Sequence, residues 1–99
     1  MSDWRDGREY REWREAVIRR DVSCIVPGCG SYDTRHAHHL YHATFFPELR
    51  FDTGKGVCMC AKCHCQFHTN YHRSYREKCT EDSFLNFLSL ARYLREMNQ

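Results

Sequence analysis

The segment "CAKCHCQFH", residues 60–68, places three cysteines and two histidines within nine positions. Seven cysteines and seven histidines occur in the whole chain of 99 residues, and aliphatic residues are sparse. A chain this short buries only a modest apolar core when it folds alone. Bound metal is therefore predicted to supply part of the stability of the fold.

The cysteines are predicted to be metal ligands or free thiols rather than disulfides. The N-terminal segment "MSDWRDGREYREW" is charged and lacks the apolar stretch of a signal peptide, and no later segment approaches the roughly 20 apolar residues that span a bilayer. A soluble, intracellular protein with no membrane partner is expected. A reducing compartment and an odd number of cysteines both argue against a secreted disulfide scaffold.

The net charge of +2 is too small to identify a partner. Residues 22–80, which contain all the cysteines and histidines, hold seven lysines and arginines against four acidic residues. This mild positive excess suits a phosphate-bearing partner without requiring one.

Hydrophobic periodicity and turn residues predict one small α+β domain over residues 1–99, with a core at about 13–73. Thr80 is placed as the N-cap of the last helix, and Phe84 and Phe87 lie on the face of that helix that is predicted to be core. The predicted elements are a helix at 8–20, a strand at 35–42, an extended segment at 50–59 that is interrupted at 53–56, a helix from 61 to about 73, and a last helix at about 81–97.

Two pairs of closely spaced cysteines predict a structural zinc site. One pair has the spacing C-x2-C, and the other has C-x4-C across a Pro-Gly turn. Together they supply the four thiolates of a closed tetrahedral site, which leaves no coordination position open. The alternative is four reduced thiols packed as small hydrophobes, and Cys58 or Cys65 could replace a member of the set. The predicted quartet is Cys24, Cys29, Cys60 and Cys63.

Two pairs of histidines predict a second metal site. His64 and His68 are four residues apart on a predicted helix, so both rings project from one face. His38 and His39 are neighbours on a predicted strand and point to opposite faces. One ring of this second pair is therefore predicted to bind the metal, and the other to face the substrate as a base.

A site of three histidines has the chemistry of a catalytic metal, because it leaves coordination positions for water and substrate. A neutral imidazole with a pKa near about 6.5 accepts a proton from water at neutral pH. Such an ion and base can together hydrolyse a phosphodiester: the ion neutralises the phosphate oxygens while the histidine activates the attacking water.

The order of these motifs resembles that of the HNH endonucleases, which belong to the His-Me finger nucleases, and in particular of small bacterial and phage members with a four-cysteine zinc site. The similar segments are "WREAVIRRDVSCIVPGC", "AHHL", "PELRFDTGKGV" and "CAKCHCQFH", in that order, within residues 13–71. The resemblance implies a ββα-metal fold with a zinc knuckle and flanking N- and C-terminal helices. It also implies a DNA nuclease in the cytoplasm of a bacterium or of a phage-infected host.

The resemblance assigns a role to each candidate residue. His38, His64 and His68 correspond to the ligands of the catalytic divalent ion, and His39 corresponds to the general base. The four cysteines correspond to the structural Zn²⁺ site. Histidines prefer later transition metals to Mg²⁺ more strongly than carboxylates do. The expected catalytic ion is therefore Ni²⁺, Mn²⁺, Co²⁺ or Zn²⁺, with Mg²⁺ used where it is abundant.

Lys55 departs from the family pattern. The N in the family name HNH stands for an Asn that usually occurs in the context D-x-x-N-G. This chain has "DTGKG" there, with Lys55 at the position of the Asn. A protonated Lys neither ligates a cation nor accepts a hydrogen bond. If His68 completes the metal site, the change is tolerated and Lys55 contacts a phosphate. If it does not, the chain is a catalytically weakened, zinc-stabilised module that binds DNA or protein.

Basic residues near the predicted helix are candidates for contacts with the DNA backbone, and an ordinary solvated surface is the alternative interpretation. His36, His42 and His72 are expected to be exposed or hydrogen-bonded rather than ligands. A homing-type enzyme of this size would have to read its target with the same few elements, or with a partner such as a phage packaging protein. The candidate DNA contacts are Lys55, Lys62, Arg73 and Arg76.

Overall fold

The computed structural model describes residues 4–70 and 80–97 of the chain. These residues form a small α+β fold with one two-stranded antiparallel sheet and three α-helices. None of the helices in this part of the chain is long and apolar enough to cross a membrane. Short 3-10 helices lie at Trp4–Asp6, Pro47–Leu49 and Thr53–Lys55. The main elements are α1 (Arg8–Asp21), β1 (Arg35–His39), β2 (Gly56–Cys60), α2 (Ala61–Asn70) and α3 (Glu81–Met97).

β1 and β2 form an antiparallel hairpin whose register decides which side chains face the helices. The pairing runs from Arg35 opposite Cys60 to His39 opposite Gly56. Successive residues of a strand point to opposite faces. His38 and His39 therefore lie on opposite faces of the sheet, as predicted.

Both strands are shorter than the extended segments predicted at 35–42 and 50–59. The 3-10 helix at Thr53–Lys55 interrupts the second segment at the predicted place. The Asp52 carboxylate caps this turn by accepting a hydrogen bond of 2.9 Å from the Gly54 N–H. β2 therefore starts only after the turn.

α1 covers one face of the hairpin with two buried side chains, Trp13 and Val17. They pack with Ala37 of β1 into a cluster of buried residues. A Cβ atom built on Gly56 would overlap the Trp13 ring and crowd Val17, so glycine is what lets α1 lie this close to β2. The helix predicted at 8–20 is confirmed, and it ends one residue later.

α2 and α3 cover the opposite face of the hairpin. Met59 of β2 and Phe67 of α2 are fully buried. Phe84 and Phe87 of α3 pack against Phe67, with ring centroids 6.0 and 5.6 Å from its own. The core role predicted for these two residues of the last helix is confirmed. The helix predicted from 61 to about 73 is observed as far as residue 70, and residues 71–79 lie outside the described part of the chain.

Candidate metal centres

Four cysteines converge where β2 meets α2. Cys60 is the last residue of β2, and Cys63 lies in the first turn of α2. Cys24 and Cys29 bracket the turn that follows α1. The four sulfur atoms all lie within 4.8 Å of one another, with only Cys29 exposed. The fold thus brings the predicted quartet together at a spacing consistent with a structural zinc ion.

The turn between the first two cysteines owes its shape to a glycine. Gly28 has a φ angle of 86°, in the left-handed region that residues with a Cβ rarely adopt. This conformation lets the Cys29 N–H return to the Val26 carbonyl at 3.0 Å. A second backbone bond, from the Ile25 N–H to the Cys58 carbonyl at 3.0 Å, ties the turn to β2. The backbone of this turn thereby places Cys24 and Cys29 next to Cys60 and Cys63.

The sulfur spacing fits a tetrahedral zinc ion. Zn–S bonds of about 2.3 Å at tetrahedral angles separate two sulfurs by about 3.8 Å, and the sulfurs of Cys29 and Cys60 lie 3.7 Å apart. A disulfide would need about 2.05 Å. The Cys63 N–H points at the Cys60 sulfur from 3.5 Å, a contact that favours the thiolate.

The clustered thiols influence one another's ionisation. Burial, and then hydrogen bonds with the other three thiols, raise the pKa of Cys63 far above its usual range. Burial also acts to raise the pKa of Cys60, but hydrogen bonds from the Cys63 N–H and from the neighbouring thiols outweigh it and leave this pKa below its usual value. The group is consistent with a structural zinc site, in which the charge of the ion would stabilise the thiolate forms.

Cys58 and Cys65, which could have replaced a member of the quartet, lie apart from it. Cys58 is fully buried in β2, where its backbone N–H donates to the Asp21 carboxylate at 2.9 Å and burial raises the pKa of its thiol. Cys65 is exposed on α2. Neither belongs to the groups of close ligand atoms found among the described residues.

Three histidines form a second group of potential ligands. One nitrogen each of His38, His64 and His68 lies within 4.8 Å of the others. His38 is only 4% exposed, and its Nε2 atom is buried. The rings of Phe67 and Phe84 lie against it with centroid distances of 4.7 and 5.6 Å and keep it facing α2. The fold therefore brings together the three ligands predicted from strand and helix.

His64 and His68 face each other with their Nε2 atoms 3.0 Å apart. Two nitrogens bound to one tetrahedral zinc ion at about 2.0–2.1 Å lie about 3.3–3.4 Å apart, so a small shift separates the observed pair from a chelating one. Burial, and then the charges that His68 and His36 can carry, lower the pKa of His64 to about 4. The ring is therefore neutral at neutral pH, which is the form that binds metals.

His36 joins this group from β1. It lies two residues before His38, on the same face of the strand, and its Nδ1 atom is 3.0 Å from Nδ1 of His64. The contact agrees with the expectation that His36 is exposed or hydrogen-bonded, although its partner is not predicted. Strand alternation is the signal that identifies it, because alternation places His36 beside His38 and towards α2.

His39 lies on the opposite face of β1, against α1. Its ring stacks on Trp13, with centroids 4.1 Å apart and planes 9° from parallel. Its Nε2 atom is 2.9 Å from the carbonyl oxygen of Arg50. A carbonyl oxygen only accepts, so Nε2–H donates and the neutral ring keeps its lone pair on Nδ1. The neutral His39 ring thus has a defined hydrogen-bond acceptor atom, Nδ1.

The surroundings of His39 disfavour its protonated form. Burial is the main cause, the bond to the Arg50 carbonyl opposes it, and the charges of Arg5 and Arg50 add to it; the result lowers the pKa of His39 to about 4. The Trp4 ring lies edge-on to His39, with centroids 5.5 Å apart. The Arg50 guanidinium lies over Trp4, 4.6 Å from its centroid. Cationic and aromatic side chains therefore surround the ring.

The loop at residues 52–56, which contains Lys55, is held by side chains of α1. Trp13 Nε1–H donates to the first carbonyl of the loop at 2.9 Å. The Arg20 guanidinium donates to two further loop carbonyls at 2.7 and 2.6 Å. The Lys55 ammonium lies over the Tyr41 ring, 5.6 Å from its centroid. Side chains of α1 therefore anchor this loop, which has Lys55 where the HNH pattern has an asparagine.

The candidate DNA contacts are only partly described. Lys62 is exposed at the start of α2. Arg73 and Arg76, like His72, lie outside the described residues. No position can be given to these three.

A basic groove of about 320 Å³ lies between α1 and the start of β1. Charge counts along the chain do not predict it, because residues 1–21 hold six arginines and six acidic residues. The lining residues are Arg14, Glu15, Ile18, Arg19, Val22 and Arg35.

Comparisons with protein-family profiles, with curated proteins and with solved structures give no match to this chain. The chemistry of the two clusters is therefore inferred from their own residues and distances. One is a closed group of four thiols, and the other is an open group of three imidazoles.

Proposed function

We propose that the protein is a metal-dependent DNA endonuclease of the HNH type, built on a ββα-metal core of β1, β2 and α2. The observation that carries the proposal is the convergence of three histidines from β1 and α2, next to a fourth histidine on the other face of β1 whose ring donates to a backbone carbonyl. Three imidazoles leave room for water and a phosphate, whereas four protein ligands would close the site.

The donor set of His38, His64 and His68 fits a divalent ion. All three are imidazoles, which suit transition metals, and the lowered pKa of His64 keeps that ring in its ligating form. The bound ion would stabilise negative charge on the phosphate and leaving oxygens. Ni²⁺, Mn²⁺, Co²⁺ or Zn²⁺ are the expected ions, with Mg²⁺ used where it is abundant.

His39 is proposed to take the proton of the attacking water at Nδ1. The bond from Nε2–H to the Arg50 carbonyl sets this tautomer, and the stack on Trp13 sets the plane of the ring. Burial is the main cause that opposes protonation of the ring, and it is joined by the guanidinium charges of Arg5 and Arg50. The charge of an approaching phosphodiester offsets them. A general base contributes about 10²–10⁴-fold to the rate.

Lys55, in place of the family Asn, is compatible with this proposal. In His-rich HNH enzymes the Asn is expected to brace the loop before the second strand, and here Trp13 and Arg20 brace that loop from α1. Lys55 is not part of the three-imidazole group. Its ammonium is proposed to contact a DNA phosphate, as is that of Lys62.

The four cysteines are proposed to bind one structural zinc ion. This ion would tie the turn after α1 to the junction of β2 and α2. His64 directly follows the ligand Cys63 on α2. The zinc would therefore also hold the start of the helix that carries two of the catalytic-metal ligands.

A zinc-stabilised module that binds DNA or protein without catalysis is the second candidate. The observation that favours it is the close cover of His39 by Trp13 and Trp4, which limits access to the base. The metal content separates the two functions. One zinc that resists dialysis and no second ion would favour the binding module, and a tight zinc with an exchangeable second ion would favour the enzyme.

Cleavage of a supercoiled plasmid tests the leading proposal. With Mg²⁺, Mn²⁺ or Ni²⁺ present, His39→Ala is expected to lower the nicking rate by about 10²–10⁴-fold while the zinc content stays the same. The control, His42→Ala, removes a histidine from the loop after β1 and is expected to keep the rate. Equal cleavage by His39→Ala and the wild type would remove His39 from the mechanism. No cleavage by the wild type with any of these ions would favour the binding module.

A further inference from the structure

His36 holds the far side of the His64 ring. Its Nδ1 atom lies 3.0 Å from Nδ1 of His64, while Nε2 of His64 lies 3.0 Å from Nε2 of His68. Both nitrogens of His64 therefore have a histidine partner. His64 is the central member of a chain of three rings that runs from β1 to α2.

We propose that His36 is a positioning residue that sets the tautomer and the orientation of His64, so that Nε2 of His64 faces the divalent ion. The inference rests on the proposed centre of His38, His64 and His68. A neutral imidazole carries one proton. When Nε2 serves as the ligand atom, that proton is on Nδ1, and Nδ1–H donates to the lone pair on Nδ1 of His36. His36 then keeps its own proton on Nε2.

The backbone makes His36 a firm support. It pairs with Met59 within the hairpin, one position from the end of the sheet, and the Met59 side chain is fully buried. The His36 ring meets His64 edge-on, at an interplanar angle of 81° and a centroid distance of 5.2 Å. A second partner of this kind orients a metal-binding histidine and increases its basicity.

The geometry distinguishes His36 from the ligands themselves. It faces the edge of His64 that carries Nδ1, whereas His68 faces the edge that carries Nε2. The ligand atoms that gather within 4.8 Å of one another, in the part of the chain described, come from His38, His64 and His68. His36 therefore acts on the ion through His64.

Cobalt binding tests this role without reference to catalysis. Protein loaded with one equivalent of zinc is titrated with Co²⁺, and the visible absorption of the bound Co²⁺ gives its dissociation constant. His36→Ala is expected to weaken Co²⁺ binding by about 10–100-fold. His36→Asn is expected to restore most of the affinity, because its side-chain carbonyl can accept the bond from His64 Nδ1–H. The control, His42→Ala, is expected to bind Co²⁺ as the wild type does.

Two further measurements keep the outcome decisive. Thermal melting and zinc content identify a His36→Ala variant that is misfolded, in which case the comparison of His36→Asn with the wild type carries the test. Nitrogen-15 NMR of the imidazoles with diamagnetic Zn²⁺ in the histidine site is expected to find the His64 proton on Nδ1 in the wild type.

Each remaining outcome contradicts a specific statement. Equal Co²⁺ affinity in the wild type and His36→Ala would overturn the positioning role and leave the three-histidine centre intact. A His36→Asn variant as weak as His36→Ala would show that a hydrogen-bond acceptor is not what His36 supplies. A wild-type protein that binds no Co²⁺ beyond its zinc would overturn the proposed centre itself, together with this inference.

Discussion

Removal of zinc from the cysteine quartet is expected to unfold the chain. A folded chain of 99 residues is stable by about 5–15 kcal/mol, whereas structural zinc contributes about 10–16 kcal/mol to the folding of small zinc domains. The apolar core cannot compensate, because in the described part of the chain its two buried clusters contain only nine and three residues. Three of the nine, Cys24, Cys60 and Cys63, are themselves proposed zinc ligands.

Circular dichroism during titration with a zinc chelator measures this effect. We expect the cooperative thermal transition to disappear as zinc is removed and to return when zinc is added back. Cys24→Ser is expected to lose zinc and unfold in the same way. Cys65→Ser alters an exposed cysteine outside the quartet and is expected to keep both the zinc and the transition. A zinc-free protein that still melts cooperatively at the same temperature would show that the apolar core alone holds the fold.

Three further substitutions test the packing of α1 on the hairpin and the loop before β2. Gly56→Ala forces a methyl group against the Trp13 ring and is expected to lower the free energy of unfolding by about 1–3 kcal/mol in urea denaturation; Gly54→Ala, whose Cβ would meet only a flexible side chain, should cost much less. Arg20→Ala removes hydrogen bonds to two loop carbonyls and is expected to lower the free energy of unfolding by about 1–2 kcal/mol in the same assay. An unchanged free energy of unfolding would show that the loop is stable without these bonds. Lys55→Asn is expected to change the plasmid cleavage rate little, because α1 already braces the loop, and a large gain in rate would show that Lys55 damps the site.

The features predicted successfully are those with local causes. The helix at 8–20 follows from periodicity, and the opposite faces of His38 and His39 follow from alternation along one strand. The grouping of the four cysteines is predicted from their two short spacings, C-x4-C and C-x2-C, each of which keeps two thiols within a few residues of each other. In each case the residues that interact are close in sequence, or belong to motifs with the spacing of metal ligands.

The features missed depend on contacts between distant segments. His36 and His64 are 28 positions apart, and His39 meets a carbonyl 11 positions away. The sequence predicts a quartet without Cys58 but leaves Cys58 open as an alternative, and its place beside α1, where its N–H is bonded to Asp21, excludes it. No spacing in the chain predicts these contacts, because loops of variable shape separate the partners.

The sequence by itself determined the donor chemistry of this protein: four thiols with knuckle spacing, a helical histidine pair, and a tandem histidine on a strand. The tertiary structure alone decided how those donors are grouped and held. The hairpin register aims His36 and His38 at α2 and sets His39 against Trp13, and a slip of one residue would reverse these faces. Register and helix packing depend on burial across the whole fold, so the tautomer and partners of each histidine emerge only when the chain has folded.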